Sequence, residues 1–476
     1  MPVAWSLPLT LPLPFRNRAK APLDSRAGVA VLTGLALAPL LGLWVASSPT
    51  VAGGATAGIA VAAILMGRAH WAAYATLFGM FFTNVGLPLG FAYLDLGDLS
   101  SMALLPIWLL SRLAGNRRPR LIPSWWIIPV YVLWMYVTYA VGGAPTEVFG
   151  RFLRQIQIAM TCLAVMDLLA EEKRVETAFW LMAIAGTIHA LLAVPQFGSA
   201  YRVGGVYDQP NYFAHSLSMA AIPALALWQS TARSWVKSLL AGMVGLMVLG
   251  VILSISRGTY LALGLTLIWW VRRNRRQLFA GLALAAIFGA MVPQIRERES
   301  SDIAARMAMH DLSVTNRWVT VLNGLNAVEA HPIFGVGFGQ YTQLDRSVEV
   351  TQQAGRSAHN FYLSIAAASG IPALLIYLSF VGALSRSIWR WQGKRAELTG
   401  SNLPTGRAIM VQGAQGMLIY MGFTLLTKGG GGAALWCTLG LCGAVAQLPV
   451  RGDDETVPPP APPEPPPTET LPEPTA

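Results

Sequence analysis

Residues 296–360 read RERESSDIAARMAMHDLSVTNRWVTVLNGLNAVEAHPIFGVGFGQYTQLDRSVEVTQQAGRSAHN. This polar run, Arg296 to Ala358, interrupts a chain that is otherwise a train of apolar stretches, and it ends at His359-Asn360, where the next apolar stretch opens. Loops longer than about 15 residues without regular structure are usually functional. A titratable histidine where such a loop re-enters the bilayer points to chemistry at a membrane surface.

The surroundings decide the fold class. The chain has 476 residues, 54% hydrophobic and only 12% charged, with a mean hydropathy of +0.49. Soluble domains carry about 25% charged residues, so this composition belongs to an integral membrane protein. The formal charge of +11 does not indicate nucleic acid, because the basic residues stand in short clusters between apolar stretches, as cytoplasmic anchors do. Cys162, Cys437 and Cys442 lie inside apolar stretches and imply no disulfide framework. Arg16, Arg18 and Lys20 precede the first apolar stretch without a small-residue cleavage site, which reads as a retained first helix.

A membrane helix needs about 20 apolar residues. Candidate spans are 27–47, 51–66, 70–90, 99–114, 123–142, 152–170, 175–196, 212–231, 235–255, 258–272, 277–294, 359–385, 407–427 and 432–449; the short ones can be tilted or re-entrant, so 12–14 spans are expected. With the N-terminus inside, the inside loops receive Arg68, Arg112/Arg117/Arg118/Arg120, Lys173/Arg174, Arg233/Lys237, Arg272/Arg273/Arg275/Arg276 and Arg386/Arg390/Lys394/Arg395. Every dense basic cluster thus falls on one side, as the positive-inside rule requires. The expected organisation is all-α: a cytoplasmic segment 1–26, a bundle 27–294, a periplasmic loop 295–358 with short helices, membrane helices 359–449, and a Pro/Glu-rich cytoplasmic tail 450–476 that cannot bury a core.

Within the loop, 303–310 can form a turn or two of helix. A second helix, capped by Thr315 or Asn316, carries Trp318, Val321, Leu322, Leu325 and Val328 at helical spacing and stops at His331-Pro332. Its apolar stripe suits a helix on the membrane or against the bundle. Gly335-Val336-Gly337-Phe338-Gly339 has no βαβ context for a dinucleotide, so it reads as a tight turn with close backbone approach.

The outside face then holds arginines that no cationic cluster explains. Arg202 precedes Gly204-Gly205 and Pro210-Asn211; Arg257 sits in a Ser-Arg-Gly turn; Arg151 and Arg154 lie in the outer turns of a span; Arg317 and His331 flank the loop helix. Ionisable groups at membrane depth are functional by default, against the alternative of snorkelling to lipid head groups. Converging guanidinium forks suit phosphate. His189 and His215 lie within or at the ends of spans and read as packed, hydrogen-bonded residues. His359, beside Asn360 as a possible orienting group, has the position and the near-neutral pKa of a general base. No carboxylate pair or His/Cys/Asp cluster at metal spacing is apparent.

At these residues the chain resembles the O-antigen ligase family (WaaL type) and the ligase/polymerase superfamily around it. The resemblance covers residues 150–430 and rests on Arg202 with Pro210-Asn211, Ser256-Arg257-Gly258, Arg317, His331-Pro332 with Gly335-Val336-Gly337, and His359-Asn360, in that order and on one face. It implies a GT-C-like glycosyltransferase of the bacterial inner membrane, with its site facing the periplasm and both termini cytoplasmic. The donor would be a glycan on undecaprenyl pyrophosphate and the acceptor a hydroxyl of the lipid A-core oligosaccharide, with membrane lipids as further partners and neither metal, cofactor nor nucleic acid. His359, Arg257 and Arg202 would be the essential groups, with Arg151, Arg154, Arg317, His331, Asn360 and Asn211 as further contacts to pyrophosphate or glycan. The family's late acidic position has no counterpart here, since 422–432 offers Lys428 and a glycine run. An O-antigen or exopolysaccharide polymerase and a protein O-oligosaccharyltransferase share these features. A lipid-linked glycan transporter would need charges at mid-membrane and related halves, which the chain does not display.

Overall fold

The computed structural model describes residues 68–82, 86–88, 93–116, 118–143, 146–197, 202–207, 209–270, 312–341, 360–399, 406–427 and 432–449. Twelve helices lie among them: α1 His70–Gly79, α2 Leu96–Gly115, α3 Ile127–Val141, α4 Thr146–Leu168, α5 Glu172–Leu192, α6 Pro210–Ser230, α7 Ser234–Ser254, α8 at 257–270, α9 Leu312–Ala330, α10 Phe361–Thr399, α11 Gly406–Thr424 and α12 Ala433–Val445. The packing forms two units. The larger covers 69–106 and everything from 119 onward; Ile107–Arg118, the second half of α2, falls in the other.

The fold is all-α, as the composition requires, with one small addition. Among the described residues, three segments, Glu172–Gln196, Ser234–Ser254 and Phe361–Gln392, are long and apolar enough to cross a membrane, and α3 and α12 are shorter apolar helices. The expected spans 27–47, 51–66 and 277–294 lie outside the described residues. The expected span 70–90 is corrected. Its helix stops at Gly79, and the chain then forms a hairpin, β1 Gly86–Pro88 against β2 Tyr93–Asp95, in antiparallel register with Leu87 opposite Leu94. Ten helical residues rise about 15 Å, half a bilayer core, and Gly86 and Pro88 of β1 are poor residues for continuing a helix.

The centre of the larger unit is made by α6, α11 and α12. Along α12 nearly every residue from Ala433 to Val445 is buried, which explains its unbroken apolar sequence: a helix surrounded by neighbours has no polar face. Small residues set the approach distances, as they do between membrane helices. A methyl on Gly186 of α5 would lie 2.3 Å from Ala220 Cβ of α6, and one on Gly440 of α12 would lie 2.5 Å from the Cys162 carbonyl of α4.

Side-chain bonds tie the ends of these helices together. At the end that the basic clusters mark as inside, Asp167 accepts from the Arg120 amide at 2.7 Å, Arg174 donates to Leu168 O at 2.8 Å, Arg407 pairs with Glu172 and reaches Pro449 O at 3.1 Å, and Trp391 Nε1 donates to Leu448 O at 2.7 Å. The exposed indoles Trp71, Trp125, Trp126, Trp235 and Trp389 stand beside those clusters, where an interfacial belt is expected.

At the other end, the loop after α9 is dovetailed into a break in α10. Gly370 has φ +81 and ψ 168, a conformation open to glycine almost alone, and Pro372 follows it. The break frees backbone groups, and the turn at 331–341 binds them: the Val336 amide donates to Ala367 O at 2.9 Å and the Ile371 amide to Pro332 O at 2.8 Å. Irregular backbone at membrane depth survives only with such partners. Phe334 stacks on Trp134 of α3 at 5.7 Å, Trp134 Nε1 donates to Ser369 O at 2.9 Å, and Gln340 Nε2 donates to Gly142 O. Gly335, Gly337 and Gly339 all have positive φ, so the close backbone approach expected of this glycine run is what is observed. The expected start of the loop helix at Thr315 or Asn316 is corrected to Leu312, while its stop before His331-Pro332 stands. The expected helix at 303–310 lies outside the described residues.

Candidate functional site

The junction between α7 and α8 is the hub of the site. α7 ends at Ser254, and Ile255 takes the left-handed conformation at φ 53 and ψ 45. For a β-branched residue that is an outlier, of a kind concentrated at functional sites. Ser256 then caps α8: its carbonyl accepts from the Tyr260 amide at 3.0 Å and its hydroxyl meets Thr259 Oγ1 at 2.9 Å. Arg257 is the first residue of α8 and is exposed.

Arg202 holds this junction from the side. Its Nε donates to Ser254 O at 3.0 Å, and its NH2 group donates to Ile255 O at 3.3 Å and to Asn211 Oδ1 at 3.0 Å. The carbonyls at the end of α7 have no helical partners, and a cation there is favourable to the helix dipole. Arg202 therefore serves as a C-terminal cap for α7, and Asn211, in the first turn of α6, orients it. The outlier at Ile255 is sustained by these bonds.

From the opposite side, α11 and α10 close on the same junction. A methyl on Gly258 would lie 2.5 Å from Thr427 Oγ1, so the end of α11 abuts the start of α8. Two residues earlier, Leu425 O accepts from the Phe361 amide at 2.9 Å, and Tyr362 OH donates to Gly422 O at 3.1 Å. Asn360 Oδ1 accepts from the Leu363 amide at 3.1 Å, so Asn360 is the N-cap of α10. Its side chain is turned to its own helix, which differs from the expected orienting role. His359, the residue before it, lies outside the described residues.

The N-terminal ends of α6, α8 and α10 are thus joined by a continuous run of contacts from Asn211 through Arg202, Arg257-Gly258, Thr427 and Leu425 to Phe361. Helix N-termini carry partial positive charge and point amides at whatever sits before them. Two guanidiniums that stay charged at any working pH stand at this junction, Arg202 engaged with Ser254, Ile255 and Asn211, and Arg257 exposed.

The remaining expected contacts belong to α4, to α9 and to the residue that follows α9. One NH2 group of Arg154 donates to both carboxylate oxygens of Asp98, 2.8 Å to each, with the carboxylate side chain only 8% exposed. Arg151 is exposed on the same helix, whose Val148 and Phe152 meet Gly339 and Phe338 of the dovetailed turn. His331 is exposed just past α9 and its amide donates to Ala327 O at 3.0 Å. Arg317 lies in the N-terminal part of α9. His189 is fully buried, its Nδ1 3.2 Å from Ser216 Oγ and its ring packed on Tyr207 and Phe213, and His215 Nδ1 lies 3.2 Å from Tyr420 OH. Both are packed helix residues, as expected. Among the described residues no group of His, Cys, Asp and Glu is arranged to hold a metal.

In comparison with known families, residues 242–378 fit the model described as O-antigen ligase. The matched stretch is similar to that family and covers less than a third of the 476-residue chain. The match runs from within α7 into α10 and so includes Arg257, Arg317, His331 and His359, while Arg202, Asn211, Arg151 and Arg154 precede it. No curated protein gives a significant match to the chain. The family's description is of a glycosyltransferase-like ligase, and the three described helices long and apolar enough to cross a membrane fit a multi-pass membrane protein.

Proposed function

We propose that the protein is an O-antigen ligase of the bacterial inner membrane, transferring a glycan from undecaprenyl pyrophosphate to a hydroxyl of the lipid A-core oligosaccharide on the periplasmic side. The observation that carries this reading is the joining of Arg202, Arg257 and the opening turn of α10 around one helix junction, within and beside the segment matched to O-antigen ligase. Arg257, at the N-terminus of α8, binds the pyrophosphate and offsets charge as it develops on the leaving group, often the largest catalytic contribution. Arg202 fixes that turn and adds its field. His359, adjacent to Asn360 at the mouth of α10, takes the proton of the acceptor hydroxyl. The acceptor oxygen bonds to the anomeric carbon as the bond from that carbon to the phosphate oxygen breaks, and undecaprenyl pyrophosphate leaves. A single displacement inverts the anomeric configuration. Pyrophosphate needs no protonation to depart, so the scheme uses one base rather than the carboxylate pair of glycoside hydrolases.

The test is His359→Ala assayed with a lipid-linked glycan donor. Transfer should be lost while donor binding is retained; persistence of transfer would place the base elsewhere. A deletion strain separates ligase from polymerase. Loss of the whole lipopolysaccharide ladder with long chains left on the lipid carrier is the ligase outcome, and a surviving core-plus-one-unit band is the polymerase outcome.

A further inference from the structure

Arg202 stands at the head of a turn, Val203-Gly204-Gly205-Val206-Tyr207, that a single side chain holds at three points. Gln196, in the 3-10 turn Val194–Gln196 after α5, accepts with Oε1 from the Gly204 amide at 3.1 Å and from the Gly205 amide at 3.0 Å, and donates with Nε2 to Gly205 O at 3.0 Å. An amide side chain that matches two donors and one acceptor on successive backbone groups fixes both the position and the tilt of the turn. The rest of the turn is walled in. Val203 donates its amide to Leu253 O at 3.1 Å, and Tyr207 OH donates to Phe81 O at 3.0 Å. Gly205 has φ +58, and a methyl there would lie 2.6 Å from Phe213 Cδ2 and 3.0 Å from His189 Nε2, so the turn cannot shift toward α5 and α6.

These contacts have a common effect on the arginine. Leu253, which binds Val203, adjoins Ser254, which binds Arg202. A turn free to slide would carry Arg202 off the carbonyls of Ser254 and Ile255 and release the left-handed Ile255 beside Arg257. We infer that Gln196 is a positioning residue for the anion site: it touches no substrate and acts on the pyrophosphate donor through Arg202. The inference rests on the proposed function for its readout in transfer, while the clamp itself is measurable without it.

The experiment uses the full chain in membranes or nanodiscs, with Gln196→Met, which keeps length and loses all three bonds, and Gln196→Glu, which keeps the two acceptor bonds. Transfer from a lipid-pyrophosphate-linked glycan and amide exchange of residues 202–207 are both followed. Gln196→Met should raise exchange at Gly204 and Gly205 and lower kcat/KM for the donor about 10- to 100-fold, as a misplacement near 1 Å does, with Gln196→Glu between it and the parent. In an Arg202→Ala background Gln196→Met should change transfer less than about twofold, since residues acting through one another are not additive. Equal losses in both backgrounds would overturn the inference, as would raised exchange with unaltered transfer. If Gln196→Met does not fold, Gln196→Glu carries the same comparison. Absence of transfer by the unaltered protein would overturn the functional reading and with it this role; raised exchange would then leave the clamp purely structural.

Discussion

Replacing Gly370 by alanine tests the dovetail at its tightest point. The added methyl would lie 1.8 Å from Ile333 O, 2.4 Å from Ile333 C and 3.0 Å from the Phe334 amide nitrogen. A carbon and a carbonyl oxygen settle above about 3.3 Å, so the 331–341 turn has to withdraw by more than an ångström. A non-glycine residue in this backbone conformation costs about 1–3 kcal/mol. Withdrawal breaks the Val336–Ala367 and Ile371–Pro332 hydrogen bonds, at about 1 kcal/mol each, and parts Phe334 from Trp134, at about 0.5–1.5 kcal/mol. The expected penalty is about 4–6 kcal/mol. Because it falls on one loop, the turn should undock while the bundle stays folded. The assay is hydrogen exchange of the purified, reconstituted protein: the Val336 and Ile371 amides should exchange about 10³- to 10⁴-fold faster, at about 1.4 kcal/mol per decade. Gly382→Ala, where a methyl meets open space on the same helix, is the control, expected to stay within about 0.5 kcal/mol or gain slightly from helix propensity. Protection in Gly370→Ala within tenfold of the control would refute the reasoning.

Arg257→Lys keeps the charge and loses the fork, so initial transfer rates should fall at least about tenfold; an unaltered rate would mean that charge alone suffices. For the Asp98–Arg154 pair, Arg154→Met removes the guanidinium from a carboxylate that is 8% exposed, whereas Asp98→Asn removes the charge from beside a guanidinium that is 57% exposed. The first should lower stability by about 2–3 kcal/mol and the second by about 1 kcal/mol, and denaturation midpoints in the reverse order would contradict the placement of the pair. Gly186→Ala brings a methyl to 2.3 Å from Ala220 Cβ and 2.8 Å from Met247 Sδ, an overpacking of about 1–3 kcal/mol. Adding Ala220→Gly should recover most of it, and failure to do so in thermal melts would place the conflict elsewhere.

Much of the architecture was legible because hydropathy marks spans and charge marks their ends. The stretches expected at 152–170, 212–231 and 432–449 became α4, α6 and α12 with shifts of a few residues. Arg202, Asn211 and Arg257 were recognisable as anomalies of composition. Their mode of action was not, since it depends on carbonyls of Ser254 and Ile255 that lie about 50 residues from Arg202 and carry no signal of their own. Arg154 read as a substrate contact because its partner, Asp98, is 56 residues away on another helix. The break in α10 was written in Ser369-Gly370-Ile371-Pro372, a glycine and proline inside an apolar run, but hydropathy averages across such a feature. The 86–95 hairpin was concealed in the same way, its two glycines and one proline flanked by enough apolar residues to extend the apparent span.

The dovetail also has a schedule. Trp134 waits for Ser369, 235 residues later in the chain, and Gly142 waits for Gln340, 198 residues later. Chains are synthesised at about 5–20 residues per second, so the C-terminal half of α3 must wait for roughly 10–50 s before the segment that completes it has been made. Throughout that interval the ribosome-bound intermediate presents an unfinished surface at Trp134. Translation pauses or insertion factors acting between residues 142 and 340 would therefore bear more heavily on the yield of folded protein than those acting before or after.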